Sequence, residues 1–188
     1  ACEQRLRYPA PIPGRWRGSQ RPVTAPGGAA VGSAVELAPN APLPGVPAAT
    51  LTAVREGGLH DLFPVYGGLG SGRLIILGGP GTGKSTAAIL TLLDAAEHRQ
   101  LLVDPLRAAT PVPVLLTPHG WDPRTERLDT WLAQRLRADY PFLRSERFGP
   151  DAAAELVAQG RIALFLDGLD EIPAPLRPVL LRALDVQA

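Results

Sequence analysis

Residues 73–85 read Arg73-Leu74-Ile75-Ile76-Leu77-Gly78-Gly79-Pro80-Gly81-Thr82-Gly83-Lys84-Ser85, a continuous apolar run that breaks into glycines and ends on a lysine and a serine. The apolar run does not alternate, so it predicts a strand buried on both faces, as in a parallel sheet. Gly78 to Ser85 fits the phosphate-loop pattern G-x-x-x-x-G-K-[ST]. From Lys84 to about Glu97 the chain is rich in Ala and Leu and has no breaker, which predicts a helix. Strand, glycine loop and helix in that order are the context the loop needs. Its glycines let successive N–H groups turn inward as an anion nest. The helix start aims its positive dipole end at phosphate. Lys84 adds a full charge, and the Ser85 hydroxyl suits Mg²⁺. Thr86 follows within reach of an α-phosphate. The nucleotide-binding candidates are therefore Gly78, Gly79, Pro80, Gly81, Thr82, Gly83, Lys84, Ser85 and Thr86. A glycine turn without nucleotide is the alternative that this context disfavours.

Composition points to the same residue. The chain has 188 residues and 19 Lys plus Arg, yet Lys84 is the only lysine. The abundance of Ala, Gly and Pro reads as a coding bias that favours Arg wherever either cation serves. The loop position resists that drift because a planar guanidinium is too wide there, whereas a compact ammonium fits between β- and γ-phosphate oxygens. The sequence thus predicts a protein that binds a nucleoside triphosphate with Mg²⁺. No base-reading motif separates ATP from GTP.

The net charge of +1 lacks the clustered basic excess of a general nucleic-acid binder. Arg5, Arg7, Arg15, Arg17 and Arg21 form a local basic run, read as a solvated tail, with contact to phosphate or a membrane surface as the alternative. Cys2 is the only cysteine, which excludes an internal disulfide and fits a reducing, cytoplasmic setting. No apolar run approaches the roughly 18–20 residues needed to span a bilayer. The chain starts at Ala1 and has no Met, so it reads as excised from something longer, with a membrane tether upstream left open.

Residues 1–58 are read as a Pro/Gly/Arg-rich arm or linker, with a short strand near Arg15–Arg17 and Trp16 as its anchor on the core. Residues 48–57 predict a short helix ended by Gly57-Gly58. Residues 59–72 read as a glycine-rich approach to the loop. Val112-Pro113-Val114-Leu115-Leu116 predicts a second strand, near an edge because Pro113 lacks an N–H. Leu128, Trp131, Leu132, Leu136 and Tyr140 predict an amphipathic helix over 125–139. Asp151 to Ala158 predicts a helix capped by Asp151 and stopped by Gly160. Arg161 to Leu166 predicts a third buried strand. Residues 175–184 predict a last helix with Pro178 in its first turn. Alternating strands and helices over 59–188 predict an α/β fold, a parallel sheet flanked by helices.

The second motif is Ala163-Leu164-Phe165-Leu166-Asp167-Gly168-Leu169-Asp170-Glu171-Ile172. An acid at the carboxyl end of a buried strand faces the crevice where open α/β sheets bind ligands. Asp167 is thus the candidate Mg²⁺ ligand, beside Ser85. Asp170 and Glu171 are the catalytic candidates, placed to orient or deprotonate a water. Their alternative role is to begin a helix, whose amino end favours acids. Asp167 and Lys84 are expected to meet across one magnesium–triphosphate. His60, His98 and His119 are scattered without metal spacing and read as surface or satisfied histidines. Trp121, in the loop after the second strand, reads as packing rather than base stacking.

The two motifs together resemble the NACHT family of STAND P-loop NTPases. Gly168 directly after the metal aspartate, with acids at 170 and 171, carries the resemblance. The stretches Val112–Leu116, Trp121 and Leu128–Leu132 also look like that family, and the Arg/Ala-rich style resembles actinobacterial versions. The resemblance covers about residues 59–188. It implies a P-loop NTPase core and a regulatory switch in bacterial signalling or defence, which hydrolyses Mg-ATP slowly and self-oligomerises when open. It also implies a further core strand beyond Ile172, lying between the first and third strands, then helical and sensor regions. These 188 residues are accordingly expected to be an incomplete core, unstable or hydrolytically feeble alone. A steadily cycling AAA+-like ATPase is one alternative, although such motors usually carry glutamate where Gly168 stands. A nucleotide-binding module without turnover is the other.

Overall fold

The computed structural model describes residues 14–19 and 41–187. Cys2, Arg5, Arg7, Arg21 and most of the arm's prolines lie outside the described residues. The chain divides into two compact units, Ala1–Thr110 and Pro111–Ala188, each with its own core. The described residues are mixed α/β, with six α-helices and two small sheets.

In the first unit, β1 (Arg15–Arg17) pairs antiparallel with β2 (Glu56–Gly58). The short arm strand expected from sequence is therefore present, and Trp16 does anchor it. Its indole N–H donates to the Gly58 carbonyl at 2.7 Å. Its ring packs against the cluster of Ala49, Val65 and Leu69. Gly57 lies beneath that ring, where a Cβ would stand 2.8 Å from the indole.

The helix expected over 48–57 does not form. Residues 51–55 make successive turns, and 56–58 become β2. Thr50, Thr52 and Val54 are β-branched and favour helix weakly. The Thr50 hydroxyl also accepts from the Ala53 N–H at 3.1 Å, a local bond that competes with helix. Pairing with β1 then takes the glycine pair.

A 3-10 turn, Leu59–Asp61, leads into α1 (Leu62–Gly68). Helix α1 was not foreseen in the glycine-rich approach. It buries Leu62 and Val65, and its two terminal glycines let the 43–49 strap cross it. Leu43 N–H donates to Gly67 O at 2.7 Å and Ala49 N–H to Gly68 O at 2.8 Å. A Cβ on Gly68 would meet Pro47 O and, at 2.7 Å, Ala49 N.

Residues 73–77, expected as a buried strand, belong to neither sheet among the described residues. Ile75 is 51% exposed and Leu77 52% exposed. The run has the composition of a central strand, but a strand exists only through a neighbour's N–H and C=O groups.

Helix α2 (Lys84–Leu101) follows the loop as expected and runs about a turn longer. It buries the small residues Ala87, Thr91 and Ala95 at four-residue spacing and packs against α1. A one-turn helix, α3 (Leu106–Ala109), closes the unit.

The second unit is built on β3 (Val112–Leu116) and β4 (Ile162–Leu166), a parallel pair in register Val112↔Ile162 through Leu116↔Leu166. Between them lie α4 (Leu128–Asp139) and α5 (Ala152–Ala158), and α6 (Arg177–Gln187) follows. Leu128, Trp131, Leu132 and Leu136 of α4 are buried, and with Val114, Leu116, Trp121, Leu143, Ala153 and Leu180 they form the core. Ile162, Leu164 and Leu166 pack against it. Helix α5 stops as predicted. Gly160, at φ +63°, donates to Val157 O at 3.0 Å, and Arg161 donates to Leu156 O at 2.9 Å. This is the paired 6→1 and 5→2 closure that a left-handed glycine allows. Asp151 does not cap α5 with its side chain. Its carbonyl instead accepts from Glu155 N–H at 2.9 Å.

The sheet is smaller than expected. Strand β4 is half-buried at every position rather than fully buried, in a pair of two strands where Ile162, Leu164 and Leu166 pack on the core.

Candidate functional site

The first candidate element lies in the first unit. Gly79 to Thr82 form a tight turn, with Pro80 and then Gly81 at its centre. Proline presets φ at the first central position. Gly81, at φ +72°, takes the left-handed conformation that the second central position of a type II turn requires. Gly83, at φ +85°, is left-handed again and caps α2. A Cβ at Gly81 or Gly83 would meet nothing within 4 Å, so backbone conformation rather than crowding selects glycine at both. The two positive-φ glycines bracket Thr82 just before the helix begins. The loop is exposed, and Lys84, half-buried, occupies the first helical turn. Its ammonium donates to Gly79 O at 3.0 Å. The Thr82 hydroxyl donates to the same oxygen at 2.8 Å. Ser85 is exposed and Thr86 half-buried on the first turn of α2.

The second candidate element lies in the second unit, at the carboxyl end of β4. The Asp167 N–H donates to Leu116 O at 3.0 Å and extends the ladder one residue past the strand. Its Oδ1 accepts from the Gly168 N–H at 3.0 Å, which orients the carboxylate. Gly168 has φ +81°, and a Cβ there would lie 3.3 Å from Glu171 Oε2. The small residue after the aspartate is thus a backbone requirement. Asp170 and Glu171 are exposed on a 3-10 turn, Leu169–Glu171, so they begin a short turn rather than a long helix. Glu171 N–H donates to Gly168 O at 3.0 Å.

Arg177 was not singled out from sequence. Its guanidinium donates to Asp170 O at 2.7 Å and Ile172 O at 2.8 Å, tying the acidic turn to the start of α6. Nothing local marked it among the chain's many arginines. The motif marks Thr82 only as one of its variable positions, although Pro80-Gly81 before it is a turn signature.

Among the described residues no group of three His, Cys, Asp or Glu is arranged to hold a metal. Magnesium needs no such cage, because it keeps waters and binds through one or two carboxylates plus substrate phosphates. The Ser85 hydroxyl in the first unit and the Asp167 carboxylate in the second are each oxygen donors.

The histidines and Trp121 have other surroundings. His98 Nε2 lies 2.8 Å from Pro44 O, and its ring meets Phe63 at 5.2 Å. His60 pairs with Asp61 at 3.3 Å on the surface, and His119 is exposed. Trp121 is buried and stacked on Trp131 with centroids 5.3 Å apart, and its N–H donates to Glu126 O at 3.0 Å. Its ring is core packing. In the same loop the Arg124 guanidinium forks onto Asp122 at 2.6–3.2 Å and pulls that carboxyl down to about 2. Among the described residues no helix is long and apolar enough to cross a membrane. No protein-family model, curated protein or solved structure matches this chain.

Proposed function

We propose that this chain binds a magnesium–nucleoside triphosphate through residues 78–86. It serves as a STAND-type nucleotide-binding regulatory switch in bacterial signalling or defence, with slow hydrolysis. The observation that carries the nucleotide reading is the backbone of the loop. Two left-handed glycines flank Thr82 and lead directly into the first turn of an 18-residue helix bearing the chain's only lysine. That arrangement offers N–H donors, a helix dipole and an ammonium group to phosphate oxygens. Asp167 and Ser85 are the proposed magnesium ligands, with Asp170 and Glu171 the proposed water-orienting acids. ATP is the proposed nucleotide, with GTP the alternative.

The switch reading is favoured over a cycling motor at Gly168. A motor's glutamate in that slot would have to adopt φ near +81°, a conformation that costs an L-residue about 1–2 kcal/mol. Titration calorimetry with Mg-ATP and Mg-GTP tests the proposal. Saturable binding by the wild type and none by Lys84→Ala is expected. Equal affinity of the two proteins sinks the site assignment. Asp167→Asn is expected to remove the magnesium-dependent part of the affinity while magnesium-free binding persists.

A further inference from the structure

Three donors converge on the Gly79 carbonyl: Thr82 N–H at 3.4 Å, Thr82 hydroxyl at 2.8 Å and the Lys84 ammonium at 3.0 Å. A carbonyl oxygen offers two lone pairs, so the three compete. The backbone bond is longer than the usual 2.7–3.2 Å range and is the weakest closure of the turn. The ammonium sits on a flexible stem and is the donor that leaves without moving backbone. The hydroxyl is therefore the contact that keeps the turn closed once Lys84 departs. Its place is made by Gly78, where any Cβ would collide with Thr82 Oγ1.

We infer that Thr82 is a positioning residue. Its hydroxyl latches the Gly79–Thr82 turn, so the loop keeps its phosphate-ready shape while Lys84 transfers from Gly79 O to a bound phosphate. This inference rests on the phosphate-loop reading above. It also assigns Gly78 a role, that of admitting the hydroxyl. Without the latch, the ammonium is the one side-chain donor left among these contacts to hold the turn, and recruiting it to phosphate opens the loop. One neutral hydrogen bond contributes about 0.5–1.5 kcal/mol, so the loss in affinity is expected to be about 3- to 10-fold.

The test uses inorganic triphosphate and Mg-ATP as probes, titrated into the full 188-residue chain and its Thr82→Ser, Thr82→Ala, Thr82→Val and Gly78→Ala variants. Helix content by circular dichroism identifies any variant that has unfolded. Wild-type-like affinity for Thr82→Ser is expected, with a 3- to 10-fold loss for both Thr82→Ala and Thr82→Val. Gly78→Ala should show the same loss, and Gly78→Ala/Thr82→Ala no more than either single variant. Folded Thr82→Ala binding as tightly as wild type overturns the latch while leaving the site reading intact. So does Thr82→Ser binding as poorly as Thr82→Val. Failure of the wild type to bind either probe counts against the site reading. The latch is then judged in the ligand-free protein by amide exchange at 79–84. Faster exchange in Thr82→Val than in Thr82→Ser supports it, and equal exchange refutes it.

Discussion

Backbone conformation, as well as contact, selects single residues in this chain. Gly168 is the clearest case. The residue after Asp167 sits at φ +81°, so Gly168→Ala is expected to destabilise the folded state by about 1–2 kcal/mol, read as a shift in the urea midpoint. Unchanged stability would mean that the turn relaxes to a right-handed form. Asp122 shows the other determinant, charge. The Arg124 side chain donates to its carboxylate, and the carboxyl titrates at about 2 instead of the ordinary 3.8. The folded pKa is depressed, so this pair stabilises the fold above pH 3.8, and the contribution fades as pH falls toward 2. Both groups are solvent-exposed, so the effect on stability is slight, and the titration itself is the useful readout. Carboxyl-carbon NMR should give a midpoint near 2, returning toward 3.8 in Arg124→Ala. A midpoint unaffected by that substitution would show that Arg124 is not the cause.

At the scale of elements, legibility followed how locally each is encoded. Helix α4 was readable because Leu128, Trp131, Leu132 and Leu136 repeat at helical spacing, and those residues are the buried ones. Removing one costs both transfer free energy and a cavity, so Leu136→Ala, at a side chain 2% exposed, should destabilise by about 2–5 kcal/mol. Denaturant titration followed by far-ultraviolet circular dichroism measures it. A change under about 0.5 kcal/mol, the size of an ordinary surface substitution, would contradict the packing described. Helix α1 was not readable. Its sequence, Leu-Phe-Pro-Val-Tyr-Gly-Gly, has poor helix propensity. Pro64 costs little in a first turn, whose N–H groups have no intrahelical partner. Burial of Leu62 and Val65, with the strap bonded to Gly67 and Gly68, supplies the rest. Strand β2 was hidden for a similar reason. Its residues, Glu-Gly-Gly, have no strand propensity and are held by β1 and the Trp16 indole.

For the molecule as a whole, two cores in one chain mean that the glycine loop and the acidic turn are supported by different packing. The most direct whole-chain readout of the proposed function is amide exchange with and without Mg-ATP. Protection is expected at residues 79–87, where nest and helix-start N–H groups would bond phosphate, and is expected to vanish in Lys84→Ala. Uniform protection across both units, with no focus on the loop, would count against phosphate recognition there.

The motif at 78–85, the periodic helices and the β3 and β4 runs were all present in the chain before any coordinate. Each is encoded by residues that act on themselves or on neighbours three or four positions away. Pro80-Gly81 shapes its own turn, and Leu128 to Leu136 make their own stripe. Pairing is different. Residues 73–77 have the apolar run of a central strand and still belong to neither described sheet, whereas Glu56–Gly58 have none of it and are paired. A backbone edge becomes a strand only when another segment brings matching N–H and C=O groups to it, and that supply comes from outside the segment itself.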